Sequence, residues 1–231
     1  MYTIALVNQK GGSGKSTLAE CLAVSAYLDG MASAILDIDP QGSAYKWSKR
    51  RSESNPPVLS VTPANYEDEW IRLKENGADF VVFDTPARLD ESTSRAIQLA
   101  NLVIIPSKAT VKDVERVGAS FDLIGKTAQP KTFVVLNQVR SQGDRADQAR
   151  SFLQAKGFSL CPHSFGYRVA FEDADTTGQT PQETDPYGKA SEEIKHVYKY
   201  TIEFLNNNTS ERVNNEQEKG SGERIASTGG I

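Results

Sequence analysis

Short apolar runs alternate with helix-forming stretches along most of this 231-residue chain. The apolar runs are rich in Val, Ile and Phe and are predicted to form strands at 3–7, 34–38, 80–83, 102–105 and 132–136, with a weaker candidate at 58–61. Helical patterns cover 15–29, 43–52, 65–76, 91–100, 111–126, 142–156 and 188–205. Near-continuous apolar strands are typical of a sheet buried on both faces, and strand–helix–strand units make neighbouring strands parallel. The sequence therefore predicts an α/β fold, a single doubly wound and mostly parallel sheet with helices on both faces.

The composition changes near Asn206, where Asn, Ser, Glu, Lys and Gly replace most apolar residues. A segment with so little to bury is predicted to be disordered. We therefore expect one domain over residues 1–205 and a polar tail over 206–231.

Composition also limits the expected location and partners. No apolar run approaches the roughly 20 residues of a membrane span, and the N-terminus lacks a signal-peptide pattern. Cys21 and Cys161 are too few and too far apart for a disulfide framework or a paired metal site. We expect a cytoplasmic protein without a membrane partner. Because the net charge is −4, any DNA binding must come from a local basic patch.

A glycine-rich segment, Asn-Gln-Lys-Gly-Gly-Ser-Gly-Lys-Ser-Thr at 8–17, lies between the first predicted strand and the first predicted helix. Gln9 stands where the general phosphate-loop pattern G-x-x-x-x-G-K-[ST] requires glycine. The glycines still allow a tight turn whose N–H groups point at phosphate oxygens, and the helix start favours an anion. A flexible Gly/Ser linker is the alternative, but the strand and helix on either side favour a phosphate loop of the P-loop NTPase type.

Side chains of this loop have expected roles. Lys15 can reach the β- and γ-phosphates of a nucleotide, and the Ser16 hydroxyl can coordinate Mg²⁺. The residues expected to contact the nucleotide are Gly11, Gly12, Ser13, Gly14, Lys15, Ser16 and Thr17.

With Lys10 included, the loop resembles the deviant Walker A motif, K-G-G-x-G-K-[ST], of the ParA/MinD family of ATPases. The resemblance implies ATP and Mg²⁺ as cofactors, ATP hydrolysis, and a homodimer that forms on ATP. It also implies that Lys10 reaches the phosphates bound by the partner subunit and takes part in catalysis with Lys15. A surface lysine before a turn is the alternative.

Two aspartates follow predicted strands at the sheet edge where open α/β proteins gather ligands. Asp39, in Asp-Ile-Asp-Pro-Gln-Gly, matches a D-x-D-P-Q-G signature of the family, which implies a role in orienting the attacking water; a plain turn explains the same residues. Asp84 ends an apolar strand in the manner of a Walker B element and is expected to hold Mg²⁺, unless it caps the next helix. Ala87 departs from the family's usual D-T-P-P.

Asn137 follows the predicted strand 132–136, where the family places a polar side chain that contacts adenine. An asparagine carboxamide can read the donor and acceptor groups of adenine, but it can equally cap a turn.

The chain resembles a short ParA-type ATPase without an N-terminal DNA-binding domain. Nitrogenase-type relatives need paired cysteines, and MinD-type relatives need an amphipathic C-terminal helix. The resemblance implies binding to non-specific DNA, nucleoid association when ATP is bound, and release when a centromere-binding (ParB-type) or adaptor protein stimulates hydrolysis.

Basic residues of the C-terminal half are the candidates for DNA contacts, namely Arg168, Lys195 and Lys199. A solvated helix face explains Lys195 and Lys199 as well. A denser basic run, Lys46, Lys49, Arg50 and Arg51, is either a second phosphate-contacting surface or another solvated face.

Plasmid segregation is the function that the resemblance favours. Positioning of another cellular cargo, or a small-molecule kinase or ligase reaction on the same scaffold, is the alternative.

Overall fold

The computed structural model describes the backbone of residues 1–88, 90–127 and 131–225, and the side chains of these residues except 126, 127 and 208–225. The strands of this described part are β1 (Tyr2–Leu6), β2 (Ser33–Asp37), β3 (Val58–Ser60), β4 (Phe80–Asp84), β5 (Leu102–Lys108), β6 (Lys131–Val139) and β7 (Leu160–Gly166). They lie in one sheet in the order β3-β2-β4-β1-β5-β6-β7, and their pairings are parallel. The predicted doubly wound parallel sheet is confirmed.

The helices connect these strands in alternation along the first two thirds of the chain. They are α1 (Lys15–Leu28), α2 (Ser43–Ser48), α3 (Tyr66–Glu75), α4 (Glu91–Leu99), α5 (Val111–Thr127), α6 (Arg145–Ala155), α7 (Val169–Thr176), α8 (Pro181–Thr184) and α9 (Lys189–Ile225). None of the described helices has both the length and the hydropathy that crossing a membrane requires.

The sequence patterns missed β7, α7 and α8. Strand β7 contains Pro162 and pairs on one side only, with β6, which is the edge position where a sheet tolerates proline. Its pairing with β6 is also irregular, and its sequence, with Pro162, His163 and Ser164 in the middle, lacks the apolar run that identifies the central strands. The helices α7 and α8 are only eight and four residues long, too short for a clear helical period.

The sheet is buried on both faces. In and just after β1, Ile4 and Leu6 point to one face and Ala5 and Val7 to the other, and all four are fully buried. The face of Ala5 and Val7 packs against residues of α3, α4, α5 and α6 in one apolar core. The two cysteines are also in the interior as free thiols, and burial raises the pKa of both, that of Cys161 to about 11.

Helix α9 continues beyond residue 205, where the composition predicts disorder. Its backbone is helical through Ile225, and the segment after residue 205 contains no proline and several residues that are compatible with a helix. The described backbone therefore differs from the expected lack of structure over 206–225. The chain divides into one compact unit, Met1–Tyr198, and a second that begins at Lys199; the expected boundary at 205 stays a prediction.

Helix α2 is fixed to the segment that contains α7 and α8. Trp47 is fully buried and donates from Nε1 to the Gln179 carbonyl at 3.3 Å. The Arg51 guanidinium is 2% exposed and forms a two-pronged ion pair with Glu183, at 2.7 and 3.1 Å. It also donates to the Gly178 carbonyl at 2.7 Å and lies over the Trp47 ring.

Part of the basic run at 46–51 is thus structural. Besides the buried Arg51, Arg50 pairs with Asp175 at 2.6 Å and donates to its carbonyl, while Lys49 lies over the Tyr45 ring. A fully solvated basic face is therefore the wrong description for Arg50 and Arg51, because both side chains bind the segment around α7 and α8.

The close approach of Gly178 to α2 generates a stability prediction. Gly178 has φ +66, and a Cβ there would lie 2.6 Å from both the backbone nitrogen of Arg51 and the backbone carbonyl oxygen of Trp47. Gly157 has a similar φ of +78 but nothing within 4 Å, so it is the matched control. Gly157→Ala should cost only the left-handed backbone penalty of about 1–2 kcal/mol.

Gly178→Ala should lose a further 1–3 kcal/mol or so, because the added methyl overpacks the contact. Urea unfolding of the two variants and the parent measures the difference. Equal losses for the two variants would contradict the close contact.

Candidate functional site

The glycine-rich loop lies at the point where the strand order reverses, because β1 has β4 on one side and β5 on the other. Gly12 and Gly14 have φ of +70 and +94, a left-handed conformation that glycine adopts without strain. Gly14 is the N-cap of α1, and no described side chain caps that helix end. The first N–H groups of α1 are therefore available to an anion.

Lys15 begins α1 and is largely buried below the loop. Its Nζ donates to the Asn8 carbonyl at 3.2 Å. Burial lowers the pKa of the Lys15 ammonium, while the nearby negative charges of Asp84 and Asp39 oppose that shift. The structure therefore brings Lys15 together with both predicted carboxylates. Ser16 and Thr17 follow on the same helix and are half-buried.

Asp84 ends β4 with both carboxylate oxygens buried and without a hydrogen bond of good geometry among the described residues. Its register partner on β2 is a second buried carboxylate, Asp37. Burial and the charge of Asp37 raise the pKa of Asp84 to about 7, while the Ser16 hydroxyl and Lys15 lie close enough to lower it and Asp39 raises it further. The helix-capping alternative is excluded, because Asp90 caps α4 by accepting from the Thr93 nitrogen at 3.0 Å.

An unpartnered buried carboxylate beside a hydroxyl is a donor set that suits Mg²⁺. Magnesium prefers oxygen ligands and is commonly held by one or two protein groups together with phosphates and water. Asp84 and Ser16 therefore fit the metal that the sequence predicts.

Asp37 was missed by the sequence reasoning. One of its oxygens accepts from the Asp39 nitrogen at 3.1 Å and the other from the Tyr45 nitrogen at 2.9 Å. Burial raises the pKa of Asp37, although these backbone donors oppose the shift. Asp37 thus connects the Asp39 turn to the first turn of α2, and the D-x-D spacing is the sequence signal that could have indicated it.

Asp39 forms the turn that was its alternative explanation. Its Oδ1 accepts from the Gln41 nitrogen at 2.9 Å, and its carbonyl accepts from the Gly42 nitrogen at 2.8 Å. The turn places Asp39 near enough to Lys15 to raise the pKa of that lysine. Its role in orienting water stays a prediction.

Lys10 points to the rim of the loop. Its Nζ lies 2.5 Å from Oδ1 of Asp113 in the first turn of α5, and the lysine side chain is 33% exposed. Burial raises the pKa of Asp113, but hydrogen bonds from Lys10 and Thr110 and the charges of Lys10 and Lys108 outweigh it and hold that pKa below its usual range. No sequence motif indicates Asp113, because the pair joins distant segments.

Asn137 near the end of β6 contacts the loop directly. Its Nδ2 donates to the Ser13 carbonyl at 2.9 Å, and its Oδ1 accepts from the Gln138 nitrogen at 2.8 Å. The predicted contact with adenine stays a prediction.

The three DNA candidates all have contacts within the chain, and those of Arg168 and Lys195 are the closer ones. Arg168 precedes α7 and forms an ion pair with Glu193. Lys195, on α9, donates to the Pro186 carbonyl at 2.7 Å and lies over the Tyr187 ring. Lys199 is 76% exposed, 3.9 Å from Glu203. Arg168 and Lys195 thus have structural contacts that the sequence did not indicate.

Comparison with protein families decides the classification. The family described as the CobQ/CobB/MinD/ParA nucleotide binding domain (CbiA) matches residues 4–181, a span that contains the loop, Asp39, Asp84 and Asn137. The chain belongs to this family. The ParA/MinD-type resemblance inferred from the loop is confirmed.

Two curated relatives of this ParA/MinD-type chain differ in coverage. It is 23% identical over 209 residues to the maintenance of carboxysome distribution protein A of Halothiobacillus neapolitanus, covering 87% of this chain and 96% of the relative. It is 28% identical over 127 residues to protein ParA of Rhizobium radiobacter, covering 54% of this chain and 57% of the relative. In the second match the chain spans little more than half of the relative's length.

Among solved structures, the fold is similar to that of McdA from Cyanothece in its complex with ATP. The TM-score is 0.71 at 16% sequence identity, covering 89% of this chain and 96% of the other. At this identity the likeness concerns the fold alone.

The buried Asp84 carboxyl generates a prediction about pH. With a pKa of about 7 in place of the ordinary 3.8, folded Asp84 holds a proton between these values that the unfolded chain has lost. Stability from this group therefore falls as pH rises through that window. Asp84→Asn should make the nucleotide-free protein more stable than the parent at pH 8, by on the order of 2–4 kcal/mol.

The advantage of Asp84→Asn should shrink towards zero near the ordinary carboxyl pKa. Urea unfolding at several pH values measures this gain in stability. Burial also raises the pKa values of Glu20 and Asp37, but both residues are present in the variant and in the parent, so most of their pH dependence cancels in the difference. Asp122→Asn, at an exposed position of α5, is the control. A difference in stability between Asp84→Asn and the parent that does not change with pH would refute the raised pKa of Asp84.

Proposed function

We propose that the chain is an ATPase that positions a large cargo: it dimerises on ATP, binds DNA without sequence preference, and is released when a partner stimulates hydrolysis. The observation that carries the proposal is the partly exposed position of Lys10 beside the proposed phosphate and metal site. Lys15, Ser16 and Asp84 supply that site within one subunit. Lys10 lies at its rim, partly open to solvent.

The site residues have separate roles in this proposal. The N–H groups of Gly11 to Lys15 bind the phosphates, and Lys15 neutralises the β- and γ-oxygens. Ser16 and Asp84 would hold Mg²⁺, which would neutralise phosphate charge when bound. Asp39 orients the attacking water. Catalysis of this kind depends on positioning and on fixed charges.

Lys10 is the residue that supports dimerisation in this proposal. In the single subunit its ammonium is held by the buried Asp113. A facing subunit with a bound triphosphate offers a stronger concentration of negative charge, so Lys10 would exchange Asp113 for those phosphates. This exchange supports a link between ATP binding and dimerisation.

DNA contacts are proposed at Arg168 and Lys195 and, separately, at Lys199, with nucleoid association in the ATP state as their consequence. Because the chain carries net charge −4, contact must be local. A centromere-binding or adaptor protein is the proposed stimulating partner.

Two cargoes are supported by different relatives. A relative that matches over almost its whole length is a carboxysome distribution protein, which favours a cellular body of the carboxysome kind as the cargo. The match to protein ParA, over about half of that relative's length, supports the plasmid cargo that the sequence resemblance implies. Deleting the gene and following both the plasmid content and the spacing of large bodies decides between them.

Replacing Lys10 tests the dimer. Lys10→Ala should remain monomeric with a slowly hydrolysed ATP analogue and Mg²⁺, and its ATPase rate should fall by about 100-fold, as for the loss of one transition-state donor. Light scattering after gel filtration measures the mass, and phosphate release measures the rate. Lys112→Ala, at an exposed position of α5, is the control.

A parent that stays monomeric would refute the dimer proposal. A Lys10→Ala variant that hydrolyses ATP at the parent rate would favour a small-molecule kinase or ligase, which has no use for this cation.

Salt dependence tests the DNA contacts. The parent should bind random-sequence duplex only with ATP, with an affinity that falls linearly with salt on logarithmic axes. Replacing Lys195 and Lys199 with Gln should reduce that slope by about one per lost contact. Lys112→Gln is the control, and Arg168→Gln is tested separately because it breaks the pair with Glu193. DNA binding that is independent of ATP, or unaffected by the double substitution, would contradict the proposed DNA contacts.

A further inference from the structure

The phosphate loop is connected to the sheet by a side chain from a distant strand. Asn137, near the end of β6, is 6% exposed and donates from Nδ2 to the Ser13 carbonyl at 2.9 Å. The two residues are 124 positions apart in the chain. This contact therefore depends on the tertiary fold and holds the loop against β6.

The approach is close enough to require glycine in the loop. A Cβ built on Gly14 would lie 1.8 Å from Nδ2 of Asn137, which no real contact allows. The Gly14 position therefore needs glycine for two reasons, its positive φ and the carboxamide that lies against it.

The Asn137 side chain is itself fixed in orientation. Its Oδ1 accepts from the Gln138 nitrogen at 2.8 Å. Gln138 has φ +53, the left-handed conformation that a residue other than glycine adopts uncommonly. The Asn137 oxygen thus accepts from the next residue in the chain, which directs the amide nitrogen towards the Ser13 carbonyl.

We propose that Asn137 is a positioning residue that sets the direction of the Ser13–Gly14 peptide in the phosphate loop. In a trans peptide the carbonyl and the N–H point in opposite directions. When Asn137 holds the Ser13 carbonyl towards β6, the Gly14 N–H points away from β6, into the loop. The proposal deepens the proposed function, on which it rests only for the identity of the anion.

This role differs from the reading of adenine. A carboxamide has one acceptor oxygen and two N–H donors. The oxygen and one N–H of Asn137 already have backbone partners, and the N–H acts on the phosphate loop, which binds the part that all nucleoside triphosphates share. Asn137 should therefore affect every triphosphate alike.

Hydrogen exchange of the nucleotide-free chain tests the loop directly. Asn137→Asp keeps the shape but removes the donor and brings a carboxylate against the Ser13 carbonyl. Amides of residues 11–16 should exchange about tenfold faster than in the parent, because local opening becomes easier. Asn101→Asp is the matched control: among the described residues the Asn101 side chain bonds through its Oδ1, which accepts from the Thr3 nitrogen at 2.8 Å, and a carboxylate preserves that contact.

Nucleotide binding provides the second measurement. ATP and GTP, each with Mg²⁺, should lose affinity for Asn137→Asp by the same factor, about 10- to 100-fold, as expected when a buried carbonyl loses its donor. Unchanged exchange at 11–16 with a selective loss of ATP would overturn the proposal in favour of base reading. Unchanged exchange with unchanged binding would overturn it outright.

Two further outcomes are separable. If Asn137→Asp fails to fold, Asn137→Ser removes the same donor without adding charge, and the same exchange result is required of it. A parent that binds no nucleotide would refute the proposed function, whereas the exchange of residues 11–16 would still judge the loop assignment.

Discussion

Two carboxylates and one ammonium are packed together out of water where β2, β4 and β1 end, and the rest of the site depends on how their charges are satisfied. Asp37 receives two backbone N–H groups, so its charge serves the turn and α2. Asp84 receives no comparable partner among the described residues. Buried charges without partners are costly in free energy. The ligand-free site therefore favours a cation, and Asp84 is the carboxylate left to bind it.

Much of this arrangement follows from the sequence, because the carboxyl ends of parallel strands meet at one edge of a sheet. The alternation of apolar runs predicts the fold, and the motifs predict that Lys15, Ser16 and Asp84 lie together. Asp113 could not be found this way. Its pairing with Lys10 joins the first loop to α5, about a hundred residues away, and depends on β5 lying beside β1.

The basic residues show more clearly that contacts between distant segments cannot be predicted from the sequence. From the sequence, Arg50 and Arg51 belong to a charged helix face. In the fold, Arg51 is buried against Glu183 and Trp47, so it stabilises the contact of α2 with α8. Arg168, predicted to contact DNA, pairs with Glu193. A count of positive charges does not distinguish a surface that binds phosphate from ion pairs that hold elements together, because only the tertiary partner separates them.

The buried state of the two cysteines has a practical consequence. Alkylating reagents attack the thiolate, and burial keeps the thiols of Cys21 and Cys161 protonated and out of reach at neutral pH. A single cysteine introduced at an exposed position such as Tyr187, which is 92% exposed, would carry a fluorophore on an unlabelled background without removal of either native thiol. The wild-type interior thus makes the chain ready for site-specific labelling.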